Sequence, residues 1–278
     1  MEYRCYKTIC KKTLILILAC LLLGGCACRD HRAELGLGDI AYVDKTDSLL
    51  LLIKNNGVVP PEVILHSTAF HTSYNPEWKI PNWVAYILNG QNLHDKHVGK
   101  VKIKSEFQED SLIVGARATL EDYRKSGWSR GHMIPVADLQ WNEVALNESY
   151  KLTNICPQDL KFNSGKWATL ENSIRKLAKK DNTIIVICGP IVEPFATVIG
   201  ENRVTVPQKF FKVLLKKRQG KYNAIGFIFP NQDVKGSIFD FAVPVDSVEQ
   251  KTGWDFFYQL VDSIENQVET EWKLKDWQ

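Results

Sequence analysis

The sequence has no cysteine pattern of the kind that builds a zinc centre: none of its seven cysteines forms a Cys-x-x-Cys pair or stands at Cys/His ligand spacing. It also has no leading apolar run of the roughly 20 residues that a transmembrane helix needs, because the stretch from Thr13 to Leu23 reaches only about half that length. A cleaved leader therefore fits better than a spanning anchor. An excess of positive charge is missing as well. Four of the 35 basic and one of the 32 acidic residues lie in the first 26, which leaves 31 of each beyond them. Nucleic-acid coating by a strongly basic overall field is thereby excluded, and any phosphate must be met by local Lys and Arg. No internal repeat is visible.

What is present is ordinary globular composition: 278 residues, 45% hydrophobic and 24% charged, enough for one large domain or two small ones. Eight Trp, nine Tyr and twelve Phe supply bulky core and aromatic faces on which bases could stack.

Arg4, Lys7, Lys11 and Lys12 precede the apolar run, and Leu23-Gly24-Gly25-Cys26 follows it. This order reads as a signal peptide over residues 1–25. The Leu-Gly-Gly-Cys ending resembles a bacterial lipobox, which implies lipid attachment at Cys26 and an exported, membrane-anchored lipoprotein, periplasmic or at the cell surface. Residues 26–60 then read as a tether and lead-in, ending in Asn55-Asn56-Gly57 and Pro60-Pro61. Residues 61–278 form the expected folded domain. Export permits a Cys156–Cys188 disulfide, and two buried thiols fit the apolar flanks equally well.

Within that domain Trp83–Leu88, Thr183–Cys188, Phe211–Leu215 and Ala224–Phe229 are rich in β-branched and aromatic residues, as strands are. From Gly165 to Lys180 the residues Trp167, Leu170, Ile174, Leu177 and Ala178 recur at helical spacing, with Asn163 or Ser164 placed to cap the helix. An α+β domain is expected.

The stretch from Gly127 to Arg175 carries the chemistry-bearing side chains. It holds Gly127-Trp128-Ser129-Arg130-Gly131-His132-Met133, then Leu152-Thr153-Asn154-Ile155-Cys156-Pro157-Gln158, then Asn163-Ser164-Gly165-Lys166-Trp167, then Glu171 and Arg175. Phosphodiester hydrolysis needs an activated water, relief of phosphate charge and stabilisation of the leaving oxygen. A neutral His suits the first task and a hard cation the other two. Asn163 and Glu171, two turns apart, could share such a cation, with Arg175 one turn on able to hold phosphate. Each residue also has a plain structural use. Arg-Gly-His is ordinarily a turn, Asn163 suffices as a cap, and Glu171 with Arg175 is by default a surface pair worth about 0.2–0.5 kcal/mol.

The order and spacing of these pieces resemble the DNA/RNA non-specific endonuclease family, the ββα-metal (His-Me finger) nucleases. Further matching segments run from His71-Thr72-Ser73-Tyr74-Asn75 to Thr252-Gly253-Trp254-Asp255-Phe256-Phe257, so the resemblance covers about residues 62 to 262. It implies a central, mostly antiparallel sheet flanked by helices. It also implies cleavage of DNA and RNA without sequence preference, dependence on Mg²⁺ with Mn²⁺ able to substitute, and 5′-phosphate ends. Position by position, it implies that His132 is the general base, Asn163 the direct metal ligand and Glu171 a holder of metal-bound waters. Asn154 would support the scissile phosphate or a metal water, and Arg130 and Arg175 would contact phosphate oxygens.

Ser129 stands where most of the family has Asp. In this it resembles the mitochondrial exo/endonuclease G-like branch, whose members act mainly as 5′ exonucleases. About twenty residues follow Phe257, too few for the extra helical region of that branch, so endonuclease action is the expectation. An end-dependent exonuclease and a catalytically silent nucleic-acid-binding surface lipoprotein are the alternatives. An upstream basic residue expected near Phe107-Gln108-Glu109-Asp110 has no unique counterpart among Lys102, Lys104, Arg117 and Arg124.

Overall fold

The computed structural model describes residues 52–56, 61–94 and 106–278. The leader and Cys26 lie outside these residues. Among the described residues the strands, in chain order, are β1 (Ile53–Asn55), β2 (Val63–His66), β3 (Phe70–Asn75), β4 (Ile80–Asn89), β5 (Ser129–His132), β6 (Ile155–Gln158), β7 (Thr183–Ile191), β8 (Val198–Ile199), β9 (Val204–Thr205), β10 (Lys209–Arg218), β11 (Lys221–Pro230), β12 (Ala242–Val243) and β13 (Trp254–Phe256). The helices are α1 (Leu120–Tyr123), α2 (Glu143–Glu148), α3 (residues 160–181), α4 (Val245–Thr252) and α5 (Asp262–Thr270). A seven-stranded sheet has the order β12-β11-β10-β7-β4-β3-β2, with every neighbouring pair antiparallel. The expected α+β architecture, a mostly antiparallel sheet flanked by helices, is the one observed, and all four expected strands lie within β4, β7, β10 and β11.

The central strands are apolar because both sheet faces are covered. Along β7, Ile184, Val186 and Cys188 face one core while Ile185, Ile187 and Ile191 face the other. Strand β10 alternates in the same way, with Phe210 and Leu214 in the first core and Phe211, Val213 and Leu215 in the second. Helix α3 covers the first face with Trp167, Leu170, Ile174, Leu177 and Ala178, the residues its periodicity selects. The second face is covered by residues of β1, β13, α4 and α5.

Two expectations are corrected here. The long helix begins before Gly165: Asp159 caps it, its Oδ1 accepting from the amides of Lys161 and Phe162, both at 2.9 Å. Asn163 and Ser164 therefore sit inside the helix, in the π-turn Asn163–Trp167. The folded domain also starts ahead of residue 61. Leu52 and Ile53 are buried against the second core, and Ile53 pairs with Phe256. Of the two readings open for Cys156 and Cys188, the structure shows two free, buried thiols.

Because Leu52 is 4% exposed, Leu52→Ala is expected to lower unfolding free energy by about 2–4 kcal/mol. A denaturant midpoint equal to that of the parent chain would remove the lead-in strand from the cooperative unit.

Candidate active site

Strands β5 and β6 form a separate antiparallel pair with Ser129 opposite Gln158 and His132 opposite Ile155, and the chain passes from β6 through Asp159 directly into α3. Two strands and a helix thus present the Ser129–His132 segment and Asn163 side by side. Gly131 is required by this closeness: a Cβ there would lie 1.9 Å from Oε1 of the buried Gln158.

His132 packs against two rings that also touch each other, 5.4 Å between their centroids. Phe107 is 5.2 Å away, centroid to centroid, and Tyr150 is 5.3 Å away edge-on. Burial, with the charge of Arg130 beside it, pulls the imidazole down from its ordinary value of 6.5 to about 4. The ring is therefore neutral at pH 7. The guanidinium of the exposed Arg130 stacks on the same Phe107 ring, 4.4 Å from its centroid. Phe107 is held there by backbone pairing of its neighbour: the Gln108 amide donates to the Tyr150 carbonyl at 3.1 Å, and the Leu152 amide donates to the Gln108 carbonyl at 2.8 Å. Asp110, at the end of the same segment, accepts from Thr153 Oγ1 at 2.8 Å.

Ser129 links this strand to the helix. Its hydroxyl donates to the Gln158 carbonyl at 2.8 Å and accepts from Asn163 Nδ2 at 3.1 Å. With its amide nitrogen committed in this way, Asn163 has Oδ1 left as the donor atom for a cation. Glu171 lies one helical stretch further on, and burial together with the charge of Asp138 raises its carboxyl from 4.5 to about 7, against the opposing pull of Lys212 and Arg175. Two oxygen donors, the Asn163 carbonyl and the Glu171 carboxyl once deprotonated, would suit a hard cation such as Mg²⁺.

Asn154 is placed differently from its expected contact with phosphate or metal water. It is fully buried, its Oδ1 accepts from the Ile134 amide at 3.0 Å, and its Nδ2 donates to the carbonyls of Ser149 and Ile134 at 2.8 and 3.2 Å. These bonds commit the side chain to the backbone just past His132. Arg175 is likewise no surface partner of Glu171. Its Nη1 donates to Asp138 at 2.7 Å and its Nη2 to Asn172 at 2.9 Å, with the side chain 16% exposed.

Asp138, Tyr86 and Lys212 are members of the site that sequence reasoning missed. Asp138 is buried on the 3-10 turn Val136–Asp138, accepting from Arg175 and, at 3.1 Å, from the Tyr86 hydroxyl. Lys212 is fully buried on β10, its ammonium 4.4 Å over the Trp167 ring, and its charge draws down both Glu171 and Asp138. A signal for Lys212 existed: it and Lys216 interrupt an otherwise apolar strand on one face, and lysines are seldom fully buried without a partner. Of the candidates for the upstream basic residue, Arg117 is paired with Glu109 at 2.9 Å and Arg124 with Glu121 at 3.2 Å, and Arg124 also lines a cleft together with Arg130. Lys102 and Lys104 lie outside the described residues.

A model of the DNA/RNA non-specific endonuclease family matches residues 52–263. The chain belongs to that family. Nuclease EXOG, mitochondrial, of Danio rerio is 33% identical over 205 residues, covering 68% of this chain and 59% of that protein. Nuclease C1 of Cunninghamella echinulata var. echinulata is 33% identical over 210 residues, covering 70% and 83%. Among solved structures, the crystal structure of the EndoG/EndoGI complex is similar with a TM-score of 0.69 at 28% identity, covering 75% of this chain and 91% of the matched one. The chain thus spans less than two thirds of the Danio rerio relative.

These relatives correct the expected location. Several, the Danio rerio nuclease among them, are mitochondrial by name, which overturns the expectation of a bacterial lipoprotein anchored through Cys26. The physical reason is that a basic stretch ahead of a short apolar run serves leaders to more than one compartment, so Leu23–Cys26 alone does not assign an anchor.

The lowered His132 pKa also makes stability depend on pH. Between pH 6.5 and 4 the unfolded chain takes up a proton at this position that the folded chain refuses, so stability falls as pH drops through that window and levels off below it. At about 1.4 kcal/mol per unit the loss is about 3 kcal/mol. His132→Gln is expected to flatten the unfolding curve over this range, as read by denaturant midpoints at pH 4, 5.5 and 7; an unchanged pH slope would contradict the assignment.

Proposed function

We propose that this chain hydrolyses phosphodiester bonds inside DNA and RNA chains, without sequence preference, with His132 as the general base and Asn163 and Glu171 as the holders of a Mg²⁺ ion. The observation that carries the reading is the junction of a neutral, aromatic-flanked His132 with Asn163 through the Ser129 hydroxyl. His132 accepts the proton of a water whose oxygen attacks phosphorus. The P–O bond to the 3′ oxygen breaks and that oxygen takes a proton from solvent water, leaving a 5′-phosphate and a 3′-hydroxyl. The cation, when bound, supplies charge relief at the phosphate. Arg130 and Arg175 face the developing charge, Arg175 with its remaining N–H groups once Asp138 and Asn172 have oriented it.

A cleft of about 480 Å³ beside the base is lined by Phe107, Leu120, Tyr123, Arg124, Trp128, Ser129 and Arg130. Aromatic faces and guanidinium groups bind base planes and phosphates of any sequence, which suits a nuclease that reads neither base edges nor the 2′-hydroxyl. Ser129 favours one second reading, the end-dependent exonuclease of the branch that shares it. Closed circular DNA separates the two, since an exonuclease has no end to start from. The parent chain is expected to open and degrade circles in Mg²⁺, to cleave RNA, and to be silent in chelator, while His132→Ala is silent throughout. Cleavage of circles by His132→Ala at the parent rate would refute the assigned base, and metal-independent binding without cleavage would replace the enzyme by a binding protein.

Ser129→Ala releases the Asn163 amide. Loss of a partner that orients a metal ligand typically costs on the order of 10–100-fold in metal affinity. The Mg²⁺ concentration for half-maximal cleavage is therefore expected to rise at least about tenfold, with the rate at saturating Mg²⁺ less affected. An unaltered Mg²⁺ dependence would leave Ser129 as a strand contact only.

A further inference from the structure

On the sheet face away from His132, five carboxylates gather from three consecutive elements: Asp246 and Glu249 of α4, Asp255 of β13, and Glu265 and Glu269 of α5. Two overlapping groups share Glu269. One oxygen each from Asp246, Glu249 and Glu269 lie within 4.8 Å of one another, and so do one each from Asp255, Glu265 and Glu269. Glu269, at the hub, is 7% exposed, and its Oε1 has no hydrogen-bond partner. A carboxylate oxygen removed from water without a partner is costly, and it is turned toward like charges. Glu249 is partly satisfied, with one oxygen accepting from the Phe256 amide at 2.7 Å.

We infer that this cluster is a second cation site, distinct from the catalytic one, that takes a calcium-class ion between Glu269 and the carboxylates of α4, β13 and α5. The oxygens of each group are near enough to share one ion, all within 4.8 Å of one another. Several flexible carboxylates on separate elements also suit the variable coordination of Ca²⁺. The electrostatics agree with the geometry. Burial and the charges of Glu249, Glu265, Asp246 and Asp255 lift Glu269 to about 9, and burial with the neighbouring carboxylates lifts Glu249 to about 7. Without a cation the cluster must keep protons to relieve its repulsion. With one, α4 and α5 are clamped to β13, and β13 carries β1 on its edge.

The test uses the full chain carrying Asn163→Ala, so that the catalytic site does not contribute, stripped with chelator and titrated with Ca²⁺ alone. Isothermal titration calorimetry should show one ion per chain, and the melting temperature should rise with Ca²⁺. At a hundredfold excess over Kd the unfolding equilibrium constant should fall about a hundredfold. Glu269→Gln should abolish both signals while raising the stability of the stripped protein, and the exposed Asp246→Asn should weaken Ca²⁺ binding with the fold unchanged. Absence of binding heat and stabilisation in the parent, or the same Ca²⁺ response in Glu269→Gln and Asp246→Asn as in the parent, would overturn the site.

Discussion

The hydroxyl of Ser129 joins the two halves of the site. It donates to the last residue of β6 and accepts from the first residue of the π-turn in α3, so the strand that carries His132 and the helix that carries Asn163 and Glu171 meet at one oxygen atom. A carboxylate at this position would bring charge; the Ser brings orientation instead. Donation by the Asn163 amide leaves its carbonyl oxygen as the exposed acceptor, the polarity a cation requires. The rest of the finger supports this contact. Gly131 lets the buried Gln158 lie against β5, and Asn154 spends its carboxamide on the backbone just past His132.

The sheet beneath supplies rigidity because it is buried on both faces. Its second consequence is electrostatic. The covered sheet leaves Asp138 and Lys212 buried with the half-buried Glu171 beside them, where their mutual charges are weakly screened. Lys212 offsets two carboxylates from behind, and Asp138 orients Arg175 from the side. The groups that touch substrate in this account, His132 and Arg130 above all, are held by stacking on Phe107 instead of by ion pairs. The neutral state of His132 at pH 7 follows from that packing.

Much of this was legible in the sequence because it is local. Strands β4, β7, β10 and β11 announce themselves by β-branched runs, and the α3 stripe by helical period. The ordered set from Ser129 to Arg175 pointed to the family that the whole-chain match then showed. What was not legible depends on contacts between distant segments. Asp138 reads as a turn residue until α3 delivers Arg175 to it, and Asn154 reads as a site residue until its three backbone partners are seen. The start of α3 was misplaced because Gly165 and Asn163 carry the marks of a helix end, and a π-turn hides them within the helix. The lead-in strand β1 was missed because three residues carry no periodicity, and its partner β13 lies some two hundred residues away in the chain.

The central claim is that His132 acts by accepting a proton, and the most direct measurement is chemical rescue. His132→Ala leaves a space against the Phe107 and Tyr150 rings of the size of the lost imidazole. Cleavage of circular DNA in Mg²⁺ by this variant is predicted to be restored by added imidazole, in proportion to its neutral fraction as pH is varied. A folded His132→Ala protein that gains nothing from imidazole, or whose rescue ignores the protonation state of imidazole, would contradict the account.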